Sequence, residues 1–238
     1  MWRTERLQEN ICGTAPAVPL LPFEGPRRVA LTREEFVPVR RGETVYYGGD
    51  QSWFREDGSL CGVWLAETGC GAAAAVNTGW YLAGGGELDC GIWREQFRRV
   101  VRRLWTPVLC AGRLGRGVER FVCGMSHCRV TARVLRNRST GLEEALRMIE
   151  RSLARDRPVA MQVLRSRFRN EPGVEHVIPW HWTVITSLTF DPSEPEQAVC
   201  TCSTWGERRQ LRFARAWQEK RGICKRVSLV LFDDDRRV

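Results

Sequence analysis

The chain has 238 residues, a formal charge of +9 and a 43% hydrophobic composition that includes ten tryptophans. A chain of this length buries a core without disulfides or metals, and its composition excludes disorder; no apolar run reaches the roughly 18 residues of a membrane span. Nearly all the positive charge is arginine, Lys220 and Lys225 being the two lysines, and it is scattered as in Arg98, Arg99, Arg102 and Arg103, a pattern of solvated faces with no specific nucleic-acid footprint.

Residues 1–44 contain Pro16, Pro19, Pro22 and Pro26 and read as an extended N-terminal arm laid over a single domain at 45–238. Their start lacks the uninterrupted apolar stretch of a secretory signal. Ten cysteines without regular spacing then read mostly as free thiols in a reducing, cytoplasmic setting. LTREEF at 31–36 suggests one helical turn, and VYYGGDQSWF at 45–54 a strand running into a glycine turn.

CGAAAAVNTGWYL, with its small side chains, predicts a helix over 69–82 that is buried on most sides and stopped by Gly84, Gly85 and Gly86. Amphipathic helices are predicted at 92–105, where Ile92, Phe97, Val100, Val101 and Leu104 share a face, and at 141–156, where Leu142, Leu146, Ile149 and Leu153 do. The period then changes. Segments 158–164, 181–190, 198–205 and 226–232 read as strands. Helices followed by an antiparallel run of strands make an α+β fold with segregated layers.

Cys70 opens the first of these helices in T-G-C-G-A. Unpaired N–H groups and the positive end of the helix dipole favour a thiolate there, and the thiolate is the nucleophilic form. Of the three histidines, His181 begins the strand HWTVITSL and is the candidate base; His176 sits in the polar stretch NEPGVEH and His127 between Cys123 and Cys128. The short linker DPSEPEQ pairs 181–190 with 198–205 as a hairpin, which brings Ser203 or Thr204 near His181 as a hydroxyl to hold the ring tautomer. Gln51 precedes Cys70 by 19 residues and offers an amide donor for an oxyanion, together with the Cys70 N–H. Trp180 and Trp182 flank His181 as core or cleft walls. Cys200 and Cys202 alternate on one strand, but with Cys123, His127 and Cys128 they lack the paired C-x-x-C spacing of a zinc site. GRLGRG at 112–117 has neither the Lys-Ser/Thr nor the strand-to-helix setting of a phosphate loop.

The order Gln, Cys at a helix start, His at a strand start, then Ser203-Thr204-Trp205-Gly206 resembles the papain-like cysteine peptidase superfamily, in which Asn-Ser-Trp-Gly stands at that last place. The G-C-G-A-A-A-A segment is similar to the bacterial C39-like peptidases, in an uncharacterised branch of that kind. The resemblance implies a papain-like fold, with a helical layer carrying Cys70 packed on an antiparallel sheet carrying His181. It implies Cys70 as nucleophile, His181 as general base and acid, Gln51 as oxyanion donor, and Ser203 in the position of the family's Asn or Asp. The expected reaction is hydrolysis of a peptide or amide bond through a thioester, with no metal or organic cofactor required. A hydroxyl at 203 departs from the family pattern and puts full activity in question, so a catalytically impaired binding module and an acyltransferase stand as rivals. The segment REDGSLCGVWLAET between Gln51 and Cys70 is long for the superfamily and reads as a lid or substrate wall.

Overall fold

A computed structural model describes residues 25–104, 110–126, 128–170, 173–219 and 227–234. In chain order the elements are β1 (Arg27–Ala30), β2 (Pro38–Arg41), β3 (Thr44–Tyr47), a 3-10 helix (Gln51–Asp57), α1 (Leu60–Thr68), α2 (Cys70–Leu82), β4 (Leu88–Asp89), α3 (Cys90–Leu104) and α4 (Ala111–Met125). They continue with β5 (Val130–Arg136), α5 (Leu142–Ala154), β6 (Val159–Arg169), β7 (Glu175–Phe190), β8 (Val199–Thr204), β9 (Glu207–Arg212), α6 (Phe213–Trp217) and β10 (Ser228–Asp234), with one 3-10 turn at Pro195–Gln197. The fold is mixed α+β with a mostly antiparallel sheet.

The main sheet runs β1-β7-β8-β9-β6-β10-β5, and an additional β6–β7 pairing closes β6, β7, β8 and β9 into a ring. The long central strand β7 makes this possible. It pairs with β6 over Glu175–Ile185, with β8 over Val184–Thr189, and with β1 over Ser187–Phe190. Its first six residues are mostly exposed, whereas 181–188 are all buried, so His181 stands where the strand enters the core. A small second sheet, β3-β2-β4, carries the chain into the site.

α2 packs through small side chains, Ala72–Ala75 among them. α2 is almost wholly buried and lies on β7 and α4. In α4 a Cβ at Gly115 would come 2.7 Å from the Ala132 methyl of β5. That glycine lets the helix approach the sheet closely. α5 covers β1 and β7, and its Glu150 pairs with Arg27 at 3.2 Å.

Several expectations need correction. The stretch 27–44 belongs to the domain and is not an arm over it: β1 is hydrogen-bonded to β7, Phe36 and Val37 are fully buried, and the 44/45 boundary cuts through β3. The first 24 residues of the expected arm lie outside the described residues. LTREEF forms a turn instead of a helical one, closed by the Phe36 N–H on the Arg33 carbonyl with Phe36 at φ +59°. The stretch between Gln51 and Cys70 is the 3-10 helix and α1, packed on each other. GRLGRG lies inside α4, and His176 is an exposed residue of β7 paired with Phe168. His127 lies outside the described residues, among which every cysteine is a free thiol and no group of three or more metal-ligating side chains is placed to hold an ion. No helix among them is long and apolar enough to cross a membrane.

Candidate functional site

Cys70 is the first residue of α2. Its N-cap, Gly69, has no side chain to compete for the helix's free N–H groups, and a Cβ there would collide with the Phe97 ring. The half-buried Cys70 sulfur lies against the backbone N–H groups of Trp182, of Gly71 and of its own residue. The Trp182 contact places it beside the peptide that follows His181. Burial nevertheless pushes the Cys70 thiol above its ordinary value, and the three N–H groups offset this only in part. The low thiol pKa expected from a helix start alone is therefore reversed.

The His181 ring is 4% exposed, and its Nε2 is hydrogen-bonded to the hydroxyl of Thr204. Nδ1 has no hydrogen-bond partner among the described residues and is the nitrogen left to exchange a proton. Burial, aided by the charge of Arg209, lowers the imidazole to about 3, so the ring is neutral at physiological pH. No hydrogen bond joins the ring to the Cys70 sulfur.

The residue holding the ring is thus Thr204, and Ser203 does something else. The β7–β8 register pairs Val184 with Ser203 and Ile185 with Cys202. Side chains alternate along a strand, so His181, Thr183, Ile185, Cys202 and Thr204 share one face and Ser203 projects from the other. The Ser203 hydroxyl donates to the Tyr47 carbonyl at 2.6 Å. The turn after Thr204 reinforces the choice. Trp205 and Gly206 both have positive φ, +51° and +70°, as a two-residue hairpin turn of type I′ requires. A tryptophan there is strained, and its ring lies 4.8 Å from the His181 ring and 5.0 Å from the Arg209 guanidinium. Trp180, also at positive φ, is 61% exposed, while Trp182 is buried.

A second polar arrangement fixes the 47–51 segment against these elements. Asn77, two helical turns after Cys70, accepts the Gly49 N–H at 3.1 Å and the Trp93 indole N–H at 2.8 Å. The Tyr47 N–H donates to the Gly206 carbonyl at 2.7 Å. A Cβ at Gly48, whose φ is +94°, would sit 2.6 Å from the Ser203 hydroxyl. Just beyond, Asp50 caps the 3-10 helix through the Ser52 N–H. Gln51 follows, 5% exposed, and its amide makes no hydrogen bond among the described residues.

Cys70, His181 and the Thr204-Trp205-Gly206 turn therefore meet through α2, β7 and β8, with Gln51 on the segment that Asn77 clamps. Sequence reasoning missed Asn77 and Arg209, and it took Trp205 only as part of a motif, without its place beside the His181 ring. Asn77 carried a signal, as the lone amide in a helix otherwise built of small and apolar residues. Arg209 carried none, because its 6% exposure depends on the ring of strands around it. No protein-family model matches the chain, and no curated protein matches its sequence.

Proposed function

We propose that the chain is a papain-like cysteine hydrolase that cleaves a peptide or amide bond through a thioester on Cys70. The observation that carries this reading is a helix-start thiol lying against the N–H that follows a buried imidazole, the imidazole itself being held at Nε2 by a hydroxyl. In the resting site both partners are neutral. As the Cys70 sulfur attacks the carbonyl, His181 Nδ1 takes the thiol proton. The oxyanion is met by the Cys70 N–H and the Gln51 amide. Nδ1 then returns the proton to the leaving amine as the thioester forms, and water, deprotonated by the same nitrogen, releases the acid. A water-excluded site of this kind needs substrate binding to tighten the sulfur–imidazole contact.

The test is acylation by p-nitrophenyl acetate, followed by peptide mapping. A burst of p-nitrophenolate with acetyl on Cys70 is expected, lost in Cys70→Ala and in His181→Gln. Acetyl spread over the exposed Cys61, Cys110, Cys123 and Cys128 would sink the reading. Added amine acceptors that collect the acyl group ahead of water would identify an acyltransferase.

The orienting residue has its own expected outcome. Thr204→Val should slow Cys70 acylation about 2- to 10-fold, the rate equivalent of a neutral hydrogen bond's ~0.5–1.5 kcal/mol. Ser203→Ala should slow it less, because that hydroxyl holds the Tyr47 carbonyl. The reverse order of burst rates would return the role to Ser203.

A second reading is favoured by one pair of observations: both groups are shifted toward their neutral forms, and no hydrogen bond joins them. A papain-like binding module without turnover has no need of an ion pair. Absence of the burst, with the fold intact, selects this reading.

A further inference from the structure

The outer face of the main sheet carries a second candidate site. The pairings Ala30–Ser187, Ser187–Thr201, Thr201–Gln210 and Gln210–Arg169 form one cross-strand row over β1, β7, β8, β9 and β6. In the adjoining rows Arg28 faces Thr189, and Arg208 faces Ser203. Residues in a row project to the same side, so these polar side chains share a face, while the intervening Leu188, Cys200 and Leu211 point into the core. Above the row lies a cavity of about 420 Å3.

Its lining is rich in donors. The exposed Arg28 and Arg169 side chains make no ion pair or hydrogen bond among the described residues. Arg208 is aimed by the Glu34 carbonyl and by the Tyr47 ring, 4.7 Å away. Among the described residues none of the three has a carboxylate partner, and Glu34 is the single acid of the lining. The most telling group is Ser187: it is 4% exposed, lines the cavity, and its hydroxyl makes no hydrogen bond among the described residues. The Thr189 and Thr201 hydroxyls are likewise without partners there.

We propose that this cavity binds a small organic phosphate, with Arg28, Arg169 and Arg208 around the phosphate and the Ser187, Thr189 and Thr201 hydroxyls donating from the sheet floor. Several guanidinia lining one cavity together with neutral hydroxyl donors match a tetrahedral dianion better than a planar carboxylate, which a single bidentate arginine satisfies. The volume is within the range of small-ligand sites and exceeds what one phosphate group needs, leaving room for the rest of the molecule. This site does not depend on the hydrolase reading.

Isothermal titration calorimetry of the full chain with ribose 5-phosphate, at fixed ionic strength set by sodium chloride, tests it. Binding with one site per chain is expected, and Arg28→Gln and Arg169→Gln should each weaken it about tenfold or more. Ser187→Ala, which keeps the charge, should weaken it severalfold. Both arginines are exposed, so their variants should keep the wild-type melting temperature. Heats no larger than those of ribose, affinities unchanged in all three variants, or equally tight binding of citrate would overturn the proposal. So would binding of a short oligonucleotide that ribose 5-phosphate does not compete away.

Discussion

Gly49→Ala is expected to destabilise the protein by about 3–5 kcal/mol, the sum of overpacking a closed core and losing two buried hydrogen bonds. A Cβ at position 49 would land inside the indole of Trp93. That ring is fully buried and wedged edge-on against Trp53 at 5.4 Å. It also packs on Phe97 at the same centroid distance, so it cannot swing aside without displacing α3 from the core. Moving the Gly49 backbone instead breaks its N–H bond to Asn77, and moving Trp93 breaks the other. Urea unfolding reads the effect directly, with Gly42→Ala as a comparison, since a Cβ at Gly42 meets nothing within 4 Å and only the positive φ is at stake. If the two variants lose equal stability, the packing of Gly49 against Trp93 is not what holds this segment.

Acid should destabilise the fold through His181. Its folded value of about 3 lies below the ordinary 6.5, because burial and the Arg209 charge oppose the imidazolium. Below about pH 6.5 the unfolded chain takes up a proton that the folded chain refuses, so stability falls as pH drops. The loss begins near 6.5, proceeds at up to about 1.4 kcal/mol per unit, and is complete near 3, a total of order 5 kcal/mol. His181→Gln keeps a hydrogen-bonding group beside Thr204 but does not titrate. Its stability profile between pH 7 and 4 should be flatter than that of the wild type, and the difference between the two curves isolates His181 from the carboxylates. Parallel curves would mean that the ring takes up its proton in the folded protein.

The two-state meaning of local sequence patterns explains what could be read in advance. α2, α3 and α5 were legible because their boundaries and faces follow from neighbouring residues: small side chains and a glycine stop for α2, apolar stripes for α3 and α5. β7 and β8 were legible as a hairpin from period and linker length. α1 was not, since its apolar residues form no stripe, and α4 was not, since four glycines dilute its helical signal. Three of those glycines make sense only against their neighbours: Gly115 faces Ala132 of β5, and Gly117 and Gly124 face Leu104 and Arg103 of α3. β1, β2 and β9 are short and charged, and take strand form only through their partners: β1 against the long β7, β2 between β3 and β4, and β9 against β8.

The same division runs through the candidate sites. The sequence by itself determined that a cysteine begins a buried helix, that a histidine begins a core strand, and that hydroxyls stand before Trp205-Gly206, because each is a matter of local pattern. The tertiary structure decided which hydroxyl meets the ring. One residue of strand register separates Thr204 from Ser203, and that register is set by pairing with β7. It also decided the protonation states: the helix start favours a thiolate, but burial under the strands costs more than the dipole returns. The arginine-lined cavity belongs wholly to the second class. Arg28, Ser187, Thr201, Arg208 and Arg169 are spread over 180 positions of scattered charge and become neighbours only when five strands align their rows.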